Sequence, residues 1–332
     1  MKKILKLIPL LTFIFCIVPS AHAVTLKIAT LAPAGTTWMK EMLKGADAIE
    51  SSTTGRVKMK FYPGGVMGND QSVHRKIRIN QLQGGAFSSS GLTPVDPNIQ
   101  ILSLPMMFNS FAEVDHVRAQ MDQRIKQHVA DNGFIILGIS EGGFARIMSN
   151  QPVSDMQSIR NSKVWIPEGD TLVQETFDTM GIKPIPLPLA DVFTGLQTGL
   201  IETITSTSTG AIAFQWHTKV NYLVDLPVLY VIGLLAVDKS AFDKIRPEDQ
   251  KVVIAEMDKV FSRLDKINRE DNLSATAALK TQGIKVIQPT PEVAQEWKNY
   301  SQQSIQKMIQ SGMIEKSMVD EIERLLAEYR SR

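Results

Sequence analysis

The stretch "TLKIATLAPAGTTWMKEMLKGADAIESSTTGRVKMKFY", residues 25–62, decides the class of fold. Its first six residues alternate apolar and polar side chains, as a strand does. A loop and then an amphipathic run follow, with Thr36 or Thr37 placed to cap a helix and Gly55 beyond its end. "RVKMKFY" (56–62) alternates again. After the turn "PGGVMGND", the segment "DQSVHRKIRINQLQ" (70–83) carries Val73, Ile77 and Leu82 at helical spacing, and "GGAFSSS" (84–90) reads as a third strand. Strand, helix, strand, helix, strand predicts a parallel sheet with helices on its faces.

Working outward, the pattern continues. A helix is expected at 111–133, closed by Gly133, with a buried strand at 134–140. "SKVWIP" (162–167) opens a second series: helix 170–180, helix 189–199 and strand 200–207. Residues 223–238 are apolar with breaks, and fit one or two strands crossing between domains. Residues 246–283 form one long helical pattern, with Pro247 in its first turn and Gly283 at its end. A strand at 284–289 follows, then a helix with a break near "SGM" (311–313). The expected fold is α/β, two domains with a cleft between them and long helices spanning both. The expected division is 24–146 plus 233–275 for the first domain and 147–232 plus 276–332 for the second.

The N-terminus is read as an export signal. "MKK" precedes a short apolar run, and "AHA" (21–23) supplies a small-x-small cleavage site, placing the cut near Ala23. Cys16, the only cysteine, lies in that leader, so the mature chain is expected to be stable in an oxidising compartment without disulfides. The chain has 36 Lys and Arg against 34 Asp and Glu. With Lys2, Lys3 and Lys6 in the leader the remainder is nearly balanced, which removes the electrostatic case for nucleic acid or an anionic membrane surface. No cofactor is indicated. His22, His74, His116, His128 and His217 show no metal-ligand spacing, and "PGGVMGND" lacks the lysine of a phosphate loop.

Two constellations carry possible chemistry. "GISEGG" (138–143) contains G-x-S-x-G with Ser140 central, and Asp170 or Asp191 and then His217 follow in the order of an exported serine hydrolase. The elbow needs a helix directly after the serine, and "GGFARIMSNQP" is a poor one. Arg146 follows the 134–140 strand, where the chain would cross between domains. It either forms a surface salt bridge or faces the cleft to fork onto a carboxylate.

An ordered set of motifs then bears on the function: "LKIATLAPAGTTWMKEM", "GRVKMKFYPGGVMGND", "SLPMMF" (103–108), "KVWIP" (163–167) and "ADVFTGLQTGLIE" (190–202). Together they resemble the dicarboxylate-type solute receptors of tripartite ATP-independent periplasmic (TRAP) transporters, over nearly the whole mature chain. The resemblance implies a periplasmic-binding-protein-like clam. It would close on a small organic solute in the periplasm and deliver it to an integral-membrane permease driven by an ion gradient, as a monomer and without catalysis.

In such receptors an arginine in a K-I-R-V-P segment holds the substrate carboxylate; here Trp165 stands in its place. The family's supporting asparagine falls on Ser206, and Arg146 matches its other pocket arginine. An indole offers an apolar face and one N–H, with no charge. Three solutes stay open: an organic anion on Arg146 with Trp165 against an apolar or aromatic body; a neutral solute held by Thr37, Ser88, Ser89 and Ser206; or a cation over Trp165 with Glu168 or Asp170 as counter-ion. Trp165 can also simply pack the cleft. Trp38 at a helix start, Asp70 and Leu189 at family pocket positions, and Phe214 complete the expected site.

Overall fold

The computed structural model describes residues 23–332, so the export-signal reading, with Cys16 and His22, lies outside the described residues. The first unit forms as its pattern requires. β1 (Val24–Thr30) leads to α1 (Thr37–Ser52), where the Thr36 hydroxyl accepts from Met39 N, then to β2 (Val57–Tyr62). α2 (Asp70–Arg78) is capped by Asn69 and stops five residues before the predicted end; β3 (Gly84–Ser88) follows. β1 lies between β2 and β3, parallel to both.

α3 (Phe111–Asp131) precedes β4 (Phe134–Ser149), which runs nine residues beyond the strand expected from sequence. Its first part pairs with β9 (Leu229–Asp238), which closes against β3, and its last four residues pair with β7 (Thr203–Ser206). β4 therefore belongs to both halves of the molecule. The pattern hid this because Glu141 and Arg146 interrupt the apolar run that marks a buried strand.

The second half contains α4 (Met156–Arg160), β5 (Trp165–Pro167), α5 (Thr171–Thr179), β6 (Ile185–Leu187), α6 (Val192–Thr198), α7 (Ser208–Ala213) and β8 (Tyr222–Val224). β5 is parallel to β6 and bridges to β7 through Val164 and Thr203. After the short α8 (Lys239–Phe242), α9 (Pro247–Thr281) runs for 35 residues along both halves. It packs Met257, Val260 and Phe261 on the first half and Leu279 among residues of the second. Gly138 in β4 permits the close approach: a Cβ there would meet the Phe261 ring at 2.0 Å. β10 (Lys285–Ile287) joins β8, and α10 (Pro291–Gln310) packs on α5.

The C-terminal boundary differs from expectation. α11 (Lys316–Arg330) does not join the second half; Met318, Val319, Ile322 and Leu325 pack with Val114, Val117 and Met121 of α3. Its apolar stripe meets the stripe of α3, and periodicity alone cannot say which of two domains receives it. No helix among the described residues is long and apolar enough to cross a membrane.

Candidate functional site

A cavity of about 480 Å³ lies where the C-terminal ends of strands from both halves converge. β1 contributes Thr30 and Leu31, β3 ends at Ser88, β5 leads into Glu168, and β7 delivers Ser206 and Thr207. Crevices outside the carboxyl ends of strands are where α/β folds hold ligands, because the loops there are free to vary while the sheet is rigid. Ile147, Phe177, Met180 and Trp297, which share one hydrophobic cluster, add an apolar part to the cavity's lining.

Of the expected site residues, the structure brings nine to the wall: Trp38, Asp70, Ser88, Ser89 and Glu168, with Trp165, Leu189, Ser206 and Phe214. It leaves two elsewhere. Thr37 is exposed at the first position of α1, and helical rotation turns the next residue, Trp38, to the cavity instead. Arg146 is engaged by another group. Its neighbour Ile147 and its cross-strand partner Ser206 line the cavity, but Arg146 does not, because its guanidinium is drawn to an acid. The Arg146 Nε donates to Asp225 Oδ1 at 3.1 Å, and Asp225 also accepts from Gln288.

Trp165 is 4% exposed and forms part of an aromatic wall. Its ring meets Trp216 edge-on at 5.4 Å, and Trp216 stacks on Phe214 at 5.1 Å. The indole N–H donates to the Leu187 carbonyl at 3.0 Å, so Trp165 offers the cavity an apolar face only.

The carboxylates differ in their support. Asp170 caps α5 through Val173 N and accepts from Gln100 Nε2 at 3.0 Å; burial pushes its carboxyl up, against those hydrogen bonds. Glu168 accepts from Asn69 Nδ2 at 3.4 Å, a contact from the loop after β5 to the cap of α2. Asp70 has no protein donor on its carboxylate among the described residues, and burial raises it to about 6. Gly91 makes its position possible, since a Cβ there would lie 2.4 Å from Asp70 Oδ2.

Sequence reading missed a network at the back wall. Glu141 is fully buried, yet accepts from Arg269 Nε at 2.7 Å, Arg269 Nη2 at 2.8 Å and Tyr230 OH at 3.0 Å. Asn268 donates to the Ser140 hydroxyl and the Glu141 carbonyl, and Asn272 donates to the Gly142 carbonyl. These bonds tie α9 to the β4 segment around an irregularity between Glu141 and Gly143. The signal available was an acid inside an apolar strand. Ser140 itself sits in mid-strand, not on a strand-to-helix turn, so the nucleophile elbow is not formed.

A family model described as bacterial extracellular solute-binding protein, family 7, matches residues 28–311. The chain belongs to this family. The 2,3-diketo-L-gulonate-binding periplasmic protein of Escherichia coli (strain K12) is 24% identical to this family 7 receptor over 253 residues, covering 73% of it and 74% of the relative. A TRAP periplasmic solute binding protein from Desulfovibrio salexigens with bound orotic acid matches at TM-score 0.84 and 16% identity, covering 92% of this receptor and 99% of that chain. One from Haemophilus influenzae RdAW with bound L-gulonate matches at TM-score 0.84 and 19% identity, covering 91% and 99%. These likenesses bear out the expected two-domain α/β clam and the TRAP-receptor resemblance.

Proposed function

We propose that this receptor captures a small organic solute in the periplasm, after removal of its leader near Ala23, and hands it to the integral-membrane permease of a TRAP importer driven by an ion gradient. It acts as a monomer and catalyses nothing. The carrying observation is the cavity of about 480 Å³ built from strand ends of both halves, a size suited to a small metabolite. The solutes of these relatives are organic acids, which supports an organic acid here. The Trp165–Trp216–Phe214 wall supports an apolar or aromatic body.

Binding works by closure. The solute favours the closed arrangement by as much as its affinity there exceeds that for the open one. Contacts such as Asn69 to Glu168 then form between loops of the two halves as the walls meet.

A thermal-shift screen of residues 24–332 against carboxylates, aromatics and polyols tests the reading. A solute at 100 times its Kd adds about 2.7 kcal/mol, a readable rise in melting temperature. If no member of a broad metabolite set shifts the protein, the receptor reading is wrong.

A further inference from the structure

The cavity wall has an unusual charge balance for a site that takes organic acids. Among the described residues, no Lys, Arg or His lines it, while Asp70, Glu141, Glu168 and Asp170 do. Two of the four acids are already satisfied within the protein. Glu141 is held by Arg269 and Tyr230, and Asp170 by Gln100 and the first turn of α5. The remaining two, Asp70 and Glu168, come from opposite halves. Glu168 meets one side-chain amide, and Asp70 meets no donor.

Asp70 is not needed to end its helix, because Asn69 already caps α2 by accepting from Ser72 N at 3.1 Å. Asp70 is half-buried, so its carboxylate depends on solvent that a bound solute displaces, and the displaced water must be replaced by a donor. An anion with no other feature would approach half-buried Asp70 and exposed Glu168, and would meet no positive group among the described lining residues. Arg146 is not among the lining residues and its charge is engaged by Asp225.

We infer that the solute carries a protonated nitrogen, as a zwitterionic amino-bearing acid or an amine, and that Asp70 and Glu168 receive that nitrogen from opposite walls. The inference rests on the receptor reading and narrows its solute class. The ammonium donates to both carboxylates and so bridges the two halves, which couples recognition of charge to closure. The apolar body lies along Trp165 and Phe214, and Ser88 on the wall offers a hydroxyl to any carboxylate of the solute.

The test uses matched probes on residues 24–332 by thermal shift and calorimetry. The nitrogen-bearing set is L-phenylalanine, L-leucine, 2-phenylethylamine and isopentylamine; the nitrogen-free set is 3-phenylpropionate and 4-methylpentanoate. L-gulonate and orotate are run beside them. The expected result is that only nitrogen-bearing probes bind. Asp70→Asn and Glu168→Gln should each weaken that binding by about thirtyfold or more, while both variants keep a cooperative melt.

Binding confined to the nitrogen-free set, or to L-gulonate or orotate, overturns the inference and leaves the receptor reading standing. Amine binding that both variants retain at full strength also overturns it. Silence of every probe removes the inference and counts against the receptor reading itself.

Discussion

Trp165 donates its indole N–H to the carbonyl oxygen of Leu187 at 3.0 Å, which joins β5 to β6 beyond their backbone ladder. Trp165 is thus part of a structural wall. Trp165→Phe keeps an aromatic ring but loses the hydrogen bond and part of the packed volume, so we expect a loss of about 1–2 kcal/mol in urea unfolding. Trp165→Ala removes the ring from a packed cluster and should cost about 3–5 kcal/mol. Equal losses for the two variants would show that the ring itself contributes nothing.

Arg146 lies outside the cavity, so Arg146→Ala should leave solute affinity unchanged and alter stability by only about 0–1 kcal/mol, because the pair with Asp225 is partly open to solvent. Burial alone would raise the Asp225 carboxyl, but the Gln288 hydrogen bond and the Arg146 charge hold it below its ordinary value. A depressed carboxyl stabilises the fold above its unfolded pKa. That contribution fades as pH falls through the lower folded value, and urea titrations of wild type and Arg146→Ala should converge in acid. A large drop in solute affinity in Arg146→Ala would return the arginine to the site.

Asp70 behaves in the opposite sense. Burial raises it to about 6, so the folded protein holds a proton that the unfolded chain releases near pH 4. The solute-free protein should lose stability as pH rises from about 4 to about 6 and hold the deficit above that. The penalty is roughly 2–3 kcal/mol if the shift is fully expressed. Charged groups near it are Glu168, reached through Asn69, and His74, whose Nε2 lies 2.7 Å from the Gly91 carbonyl. Asp70→Asn should flatten that part of the pH–stability curve and raise stability at pH 8; an unchanged curve would contradict the assignment.

Arg269→Met tests the network behind the cavity. It leaves the Glu141 carboxylate buried with Tyr230 as its remaining side-chain donor, and should cost about 3–5 kcal/mol. The double variant Arg269→Met/Glu141→Gln should recover part of this loss, because the uncompensated charge is gone. Additive losses in a double-mutant cycle would mean the two residues do not act as a pair.

How far the sequence was legible follows from which interactions are local. β1, α1 and β2 were legible because alternation, capping by Thr36 and the glycine beyond the helix all act within a few residues. The pocket positions after β3 and β5 were legible for the same reason: they follow strand ends, and nine of the expected residues reach the wall. Arg146 was not, because its ion pair with Asp225 joins residues 79 apart in the chain. Glu141 was obscured by a pattern match to a hydrolase elbow, and its partners Tyr230 and Arg269 lie 89 and 128 residues away.

By itself the sequence determined the α/β class and the long helix, since each depends on residue type at short spacing. Only the tertiary structure decided that Trp165 spends its N–H on Leu187, that α11 packs on α3, and that the cavity collects carboxylates without a cation. Those outcomes depend on which distant surfaces meet. Burial, hydrogen-bond completion and charge balance act on neighbours in space, and those neighbours are chosen by packing rather than by order along the chain.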